Sequence, residues 1–297
     1  MIDINLKGMG VALITPFKED ESVDYETLAK LVDYQLQNGT DYLVILGTTS
    51  ETPTLTEEEK DKIVSLVVNK VHGKIPIVLG VGGNCTQSII NKLKQGNFEG
   101  IDAILSVVPY YNKPSQEGIY QHYKAISAAT RLPIILYNVP GRTGVNMTAA
   151  TTLRIARECK NVIAIKEASG NISQMDDIIK NKPTNFNVIS GDDGVTFPLI
   201  TLGAIGVISV IGNAFPREFS RMVRLALAGD FDSARTIHHR FTELFDLLFV
   251  DGNPAGVKSM LNAMGYIENK LRLPLIPTRI TTFEKIRDVL RQLSIRC

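Results

Sequence analysis

The sequence predicts an α/β protein, a (β/α)8 TIM barrel with a C-terminal helical extension. Eight short apolar runs rich in Val and Ile recur between residues 10 and 210, and segments with helical spacing lie between them. Most runs do not alternate apolar and polar residues, as expected for parallel strands covered on both faces. A doubly wound open sheet is the alternative, but eight strand–helix units in about 230 residues match the size of a barrel and favour it.

The predicted strands come first in each unit. They are GVALI at 10–14, YLVIL at 42–46, IPIVLGV at 75–81, DAILSVV at 102–108, LPIILYNV at 132–139, NVIAIK at 161–166, FNVIS at 186–190 and GVISV at 206–210. Helical segments with apolar residues every three or four positions start at Tyr25, Thr56 and Ser115. The first two carry acidic residues in or near the first turn, which favours a helix start there.

After the eighth run the chain continues for more than 80 residues, and four segments of this part predict helices. These segments are AFPREFSRMVRLALAGD at 214–230, FDSARTIHHRFTELFDLLFV at 231–250, NPAGVKSMLNAMG at 253–265 and TTFEKIRDVLRQL at 281–293. A barrel needs only one closing helix after its last strand. We therefore expect a catalytic barrel over 1–225 and a helical extension over 226–297, which is available for packing or oligomer contacts.

Composition excludes several classes of protein. The chain is 44% hydrophobic and 21% charged, and its net charge of +1 is spread without a basic stripe, so we expect no nucleic-acid partner. Cys85, Cys159 and Cys297 are widely spaced, which fits neither a disulfide framework nor a zinc site and predicts a reducing cytoplasm. Residues 194–216 lack charge and are long enough to cross a bilayer. Because they contain Pro198 and four glycines, we interpret them as a buried helix and strand and expect no membrane association.

Lys166 is the most informative candidate. The active site of a barrel lies at the carboxyl ends of its strands, and VIAIK places Lys166 at the end of an apolar strand. Burial there disfavours the charged ammonium, and a neutral amine can attack a ketone to form an iminium, an electron sink for making or breaking a carbon–carbon bond without metal. The alternative is a lysine that pairs with Glu167 or Asp192.

Each polar residue that follows another apolar run likewise has a functional and a structural interpretation. Tyr137 and Tyr111 could shuttle protons, or be core tyrosines with satisfied hydroxyls. Thr48 and Thr49 could bind a carboxylate through hydroxyls and backbone N–H groups, or be ordinary turn residues. Arg142, in PGRTG, could hold a substrate carboxylate in bidentate fashion, or form a surface salt bridge.

Metal and nucleotide chemistry are not indicated. The histidines His72, His122, His238 and His239 all fall in or at the ends of predicted helices, so a zinc site at the barrel mouth is improbable. The Asp-Asp-Gly turn at Asp192 is better explained as the start of a helix than as a magnesium site. No GxGxxG or Walker-type loop follows any strand. We therefore predict neither a metal nor a cofactor.

Six segments, in order along the chain, resemble signatures of the dihydrodipicolinate synthase and N-acetylneuraminate lyase superfamily. They are GTTSE at 47–51, PYYNKPSQEG at 109–118, YNVPGRTG at 137–144, IKEASGN at 165–171, SGDDG at 190–194 and GVISV at 206–210. With NPAGVK and LRLPL near the C-terminus, the resemblance extends over essentially the whole chain. The paired Thr48–Thr49, Tyr111 and Arg142 resemble the synthase branch, since the lyase branch usually has Ser-Thr and no arginine.

The resemblance implies a Schiff-base lyase of lysine (diaminopimelate) biosynthesis. Pyruvate would form an imine with Lys166 while Thr48 and Thr49 hold its carboxylate, and the enamine would attack L-aspartate 4-semialdehyde held by Arg142. Tyr137, Thr48 and Tyr111 would relay protons, with Tyr111 supplied by a neighbouring subunit of a homotetramer. Gly191 and Ile208 match positions that make backbone contacts near the imine. The alternatives are an aldolase for another 2-oxo acid and a non-catalytic barrel.

Two departures from the family pattern lead to further expectations. Ser50 stands where the first loop usually has Gly, a small change that should be tolerated. Where many members bind inhibitory lysine through histidines and an acidic residue, this chain has Glu57, Lys60 and Ser88, although Asn84 and Tyr110 are kept. A cationic Lys60 would repel lysine, so we expect weak or absent feedback inhibition.

Overall fold

Eight parallel strands close into a barrel in the computed structural model, which describes residues 4–293. Neighbours in sequence pair side by side, and the first strand pairs with the eighth, so the predicted TIM barrel is confirmed. The strands are β1 (Gly8–Ala12), β2 (Tyr42–Ile45), β3 (Ile77–Gly80), β4 (Ala103–Val107), β5 (Ile134–Asn138), β6 (Val162–Glu167), β7 (Asn187–Ser190) and β8 (Gly206–Ser209).

The largest difference from the predicted strands is at β1, which starts two residues before the apolar run. Its first residues pair with β8, Gly8 with Gly206 and Met9 with Val207. The two backbones approach so closely that a Cβ at Gly206, which has φ +149, would lie 1.8 Å from the Gly8 carbonyl oxygen. Leu13 and Ile14 are buried although they follow the strand, which is why the apolar run extends past it.

Helices alternate with the strands. They are α1 (Tyr25–Gln37), α2 (Glu57–Val71), α3 (Thr86–Gln95), α4 (Gln116–Ala129), α5 (Pro140–Thr143), α6 (Ala149–Glu158), α7 (Ile172–Asn181), α8 (Asp193–Leu202), α9 (Pro216–Leu227), α10 (Phe231–Leu247), α11 (Ala255–Ala263) and α12 (Ile280–Gln292). Thr56 and Ser115, predicted helix starts, are the N-caps of α2 and α4, and Thr56 forms a capping box with Glu59. None of the described helices is long and apolar enough to span a membrane.

The core has two layers separated by the barrel wall. Alternate strand residues such as Val44, Val78, Ile135 and Ala164 form an inner cluster, while their neighbours pack outward against the helices. The inner cluster fills the barrel below its carboxyl end. Polar residues at the strand ends therefore stand on a packed and rigid base.

An aromatic cluster joins α9 and α10, the first two of the helices after β8. The ring centroids of Phe215 and Phe241 are 5.1 Å apart and those of Phe219 and Phe245 are 5.8 Å apart. Every residue of α11 from Ala255 to Leu261 is buried. The predicted division after residue 225 falls inside α9 and stays a prediction.

Candidate active site

Lys166 and Tyr137 face each other inside the barrel mouth. They are register partners on β6 and β5, and each lies two residues beyond an inner-cluster residue, Ala164 and Ile135, on the same strand. Because side chains alternate along a strand, both project inward. The Lys166 ammonium nitrogen lies 4.4 Å from the Tyr137 ring centroid, and both residues are buried.

The polar atoms of this pair have no partner within the protein over residues 4–293. Lys166 makes no ion pair there, because Glu167 is bonded elsewhere and Asp192 caps α8, so the structural alternative for Lys166 does not hold. The Tyr137 hydroxyl also makes no hydrogen bond over the same range. The core tyrosines Tyr42 and Tyr123, by contrast, donate to backbone carbonyls at 3.2 and 2.9 Å. The interior pair thus keeps its polar atoms available for a ligand.

A cavity of about 380 Å³ opens at this end of the barrel. Of the predicted site residues, Thr48, Tyr137 and Arg142 line it, together with Tyr110 and Asn253. The remaining predicted residues, Lys166, Thr49, Gly191, Ile208 and Tyr111, are outside its lining. Lys166 contacts the ring of Tyr137, which itself lines the cavity. Tyr111, in contrast, is 82% exposed and lies on the outer rim.

The loop after β2, residues 47–54, carries both threonines. It consists of two 3-10 turns joined at Glu51, which adopts the left-handed conformation with φ 55°. Ser50 is buried, its hydroxyl donates to the Leu13 carbonyl at 2.6 Å, and its own carbonyl accepts from the Thr15 hydroxyl at 2.9 Å. The serine in place of glycine is therefore accommodated, and its hydroxyl ties the loop to the segment after β1.

The helical extension also holds this loop. Asn253 donates from Nδ2 to Thr49 Oγ1 at 3.0 Å, and the fully buried carboxylate of Glu51 pairs with the Lys258 ammonium at 2.5 Å. The Arg272 backbone N–H donates to the same carboxylate at 3.1 Å. Burial lowers the pKa of Lys258 to about 8, and the attraction of Glu51 opposes that shift. None of these contacts was predicted, because they join segments about 200 residues apart.

Arg142 stands at the cavity edge on the short helix α5. Its guanidinium donates to the Asn253 main-chain carbonyl at 3.3 Å and has no acidic partner within residues 4–293. A surface salt bridge therefore does not explain it. The exposed guanidinium of Arg142 therefore has N–H groups available to bind a carboxylate.

A second polar cluster, also not predicted, lies directly behind the interior pair. Asn138 and Glu167 follow Tyr137 and Lys166, so they project to the outer face of the wall. The Asn138 amide donates to the two Glu167 carboxylate oxygens at 3.1 and 3.2 Å, Gln174 donates at 3.1 Å and the Ser169 backbone N–H at 2.9 Å. Burial raises the pKa of Glu167, while these hydrogen bonds act in the opposite direction.

Gly191 follows β7 and Ile208 lies on β8, and both are outside the lining of the cavity. The Gly191 N–H donates to the Glu167 carbonyl at 2.8 Å, and a Cβ at Gly191 would lie 2.7 Å from that of Ala168, so only glycine fits this approach. Ile208 is buried in the inner cluster on β8. The segment after β8 is fixed by buried Asp193, which accepts from the Val210 and Ile211 N–H groups at 3.0 and 2.8 Å and whose pKa burial raises to about 6.

Comparison with known proteins agrees with this arrangement. Residues 5–293 match the model of the dihydrodipicolinate synthetase family. A 4-hydroxy-tetrahydrodipicolinate synthase of Parabacteroides distasonis is 85% identical over the full length of both chains. A solved structure described as the first monomeric dihydrodipicolinate synthase variant is 44% identical, with TM-score 0.94 and 97% of each chain covered. The Acinetobacter baumannii dihydrodipicolinate synthase complexed with pyruvate is 40% identical, with TM-score 0.95, covering 98% of this chain and 100% of that one. The chain belongs to the dihydrodipicolinate synthetase family, whose members are lyases of the class I aldolase type.

Proposed function

We propose that this chain is a 4-hydroxy-tetrahydrodipicolinate synthase that condenses pyruvate with L-aspartate 4-semialdehyde through an imine on Lys166. One observation carries the proposal. The Lys166 amine is buried against the Tyr137 ring, 4.4 Å from its centroid, and makes no ion pair within residues 4–293. An amine in this environment is available to attack the ketone carbon of pyruvate and to lose water as the imine forms.

The next step makes the carbon–carbon bond. Loss of a proton from the pyruvate methyl group gives an enamine, whose carbon attacks the aldehyde carbon while the aldehyde oxygen takes up a proton. The adduct's amino group then attacks the imine carbon, which closes the ring and releases Lys166. Tyr137 has a hydroxyl without a protein partner next to this amine, and we assign the proton transfers to it, with Thr48 and Tyr111 as relay.

The two substrate carboxylates need separate binding groups. We assign the pyruvate carboxylate to Thr48 and Thr49, in the loop after β2, and that of the aldehyde to Arg142 at the cavity edge. We assign backbone contacts near the imine to Gly191 and Ile208. The pyruvate complex of the Acinetobacter baumannii relative supports pyruvate as the first substrate.

Oligomeric state and location are part of the proposal. Tyr111 is 82% exposed on the rim of its own chain, so a relay through Tyr111 requires a second subunit that brings this side chain to the cavity. We propose a homotetramer built as a dimer of dimers. Cys85 and Cys159 are both free thiols, which supports a reducing cytoplasm, whereas Cys297 lies outside the described residues.

The test is chemical trapping. The enzyme is incubated with pyruvate, reduced with borohydride and mapped by peptide mass spectrometry, and we expect a pyruvyl adduct on Lys166. Aspartate semialdehyde should diminish the adduct through turnover. An adduct that the semialdehyde leaves unchanged would point to an aldolase for another acceptor. Absence of any adduct on Lys166 would overturn the imine mechanism.

A further inference from the structure

Asn253 contacts both proposed carboxylate-binding groups. Its side-chain Nδ2 donates to Thr49 Oγ1 at 3.0 Å, and its main-chain carbonyl accepts from the Arg142 guanidinium at 3.3 Å. Asn253 lines the cavity and is 6% exposed, and it reaches the site from the helical extension, 204 residues after Thr49. One residue of the extension therefore touches the binding groups for both substrates.

The direction of the bond to Thr49 decides what that hydroxyl can do. A threonine hydroxyl has one proton to donate and two lone pairs to accept with. Because the Asn253 amide donates to it, Thr49 acts as the acceptor in this bond and keeps its own proton. Over residues 4–293 that proton has no acceptor of its own, whereas a carboxylate can only accept.

The backbone of the loop is held by other groups. The Glu51 carboxylate is bound by Lys258 and by the Arg272 N–H, and the Arg272 guanidinium also donates to the Thr54 carbonyl at 2.9 Å. Loss of the Asn253 side chain would therefore leave these ties in place. What it removes is the group that sets the direction of the Thr49 hydroxyl.

We propose that Asn253 is a positioning residue that fixes Thr49 as a hydrogen-bond donor to the carboxylate of pyruvate. The inference rests on the proposed function, since it presupposes that pyruvate binds beside Thr49. The main-chain carbonyl holds Arg142 at the aldehyde end, so the two ends of the site separate experimentally. Side-chain substitutions act on pyruvate, while the carbonyl persists in every variant.

Steady-state kinetics of Asn253→Ala and Asn253→Asp test this role. For the alanine variant we expect the KM for pyruvate to rise about tenfold, the loss of one oriented hydrogen bond to a charged group, with kcat and the KM for aspartate semialdehyde changed less than about threefold. The aspartate variant keeps the shape, but its carboxylate only accepts, so it takes the Thr49 proton and repels the substrate anion. Its KM for pyruvate should therefore exceed that of the alanine variant.

Asn262→Ala is the matched control. Asn262 lies in the same extension and donates to the Ile267 carbonyl at 2.8 Å, so its loss removes a comparable bond in which no residue of the loop takes part. A double-mutant cycle adds specificity, because Asn253→Ala should change the KM for pyruvate little in a Thr49→Val background.

A pyruvate KM equal to that of Asn262→Ala in both Asn253 variants would overturn the proposal while leaving the imine on Lys166 intact. Absence of the borohydride adduct in the unmodified enzyme would instead overturn the proposed function. If the alanine variant does not fold, the aspartate variant decides, since a pyruvate KM unchanged in it overturns the role.

Discussion

The two faces of the β5–β6 pair differ sharply although they are built from adjacent residues. Within the described part of the chain, the polar atoms of Tyr137 and Lys166 on the inner face have no protein partner. Asn138 and Glu167 on the outer face are joined to each other and to α7 by hydrogen bonds. The absence of protein partners for the inner groups within residues 4–293 supports the proposal that they contact substrates. The outer groups are satisfied because they hold the two strands in register. The same strand ends thus combine an open reactive surface with a rigid support.

The largest expected effect is on the inner face. Lys166→Arg keeps a cation against Tyr137 but cannot form the imine, and we expect kcat to fall at least about a thousandfold, with loss of the borohydride adduct. Lys180→Arg, an exposed lysine on α7, is the control and should behave as the unmodified enzyme. If Lys166→Arg turned over at close to the normal rate, the enzyme would require only a positive charge at this position and not an amine that forms the imine.

Tyr137→Phe tests the second inner group. The ring stays against Lys166 and only the hydroxyl is lost, so we expect kcat to fall about a hundredfold, the usual contribution of one proton-transfer group. Tyr123→Phe is the matched control, because its hydroxyl is satisfied by the Ser106 carbonyl in the core. It should cost about 1 kcal/mol of unfolding free energy with little change in rate. Equal rate effects for the two variants would contradict the assignment of proton transfer to the Tyr137 hydroxyl.

On the outer face we expect stability to change more than chemistry. In Glu167→Gln the new amide group turns donors toward the Asn138 and Gln174 amides, which lowers the unfolding free energy by about 1–3 kcal/mol. Denaturant titration measures this loss, and kcat should fall less than about tenfold. Glu117→Gln, at an exposed position of α4, provides the control. A fall in kcat of more than about tenfold with an unchanged unfolding free energy would instead assign Glu167 a role in the chemistry of the inner face.

The pH dependence of stability sharpens the same contrast. Because burial raises the pKa of Glu167 in the folded state, the folded protein binds this proton more tightly than the unfolded chain does. The resulting stabilisation is complete below the unfolded pKa and is lost as pH rises through the folded pKa. The difference in unfolding free energy between the unmodified enzyme and Glu167→Gln should therefore shrink as pH rises above the ordinary glutamate pKa of 4.5. Parallel curves would contradict this account.

The smallest effect is expected at the cleft between α2 and α3. Glu57 pairs there with Lys60 at 2.6 Å and with Lys92 at 3.6 Å, so a lysine ligand would meet two ammonium groups. We expect millimolar lysine to leave the initial rate nearly unchanged, with norleucine, which lacks the second ammonium, as the control. Half-maximal inhibition at sub-millimolar lysine would refute this.

The sequence predicted the inner face better than the outer one for a physical reason. An apolar run followed by a polar residue marks a strand end, which is how Lys166 and Tyr137 were found. Glu167 was considered only as a partner of Lys166, although alternation along a strand already places adjacent residues on opposite faces. Asn253, Lys258 and Arg272 could not be paired with the loop after β2, because helical spacing predicts a buried face but not what it is buried against. A charged Lys258 within the small and apolar segment AGVKSMLNA was the available signal.

The buried pair of Glu51 and Lys258 also sets the order in which the enzyme becomes competent during its synthesis. The loop residue Glu51 is synthesised within the first fifth of the chain, but its carboxylate has no cation until Lys258 follows. An unpaired carboxylate at a fully buried position costs several kcal/mol, so we expect this loop to stay solvated and unformed on a nascent barrel. We therefore expect the loop to form only after Lys258 has been synthesised, so a chain terminated before Lys258 should lack the formed loop.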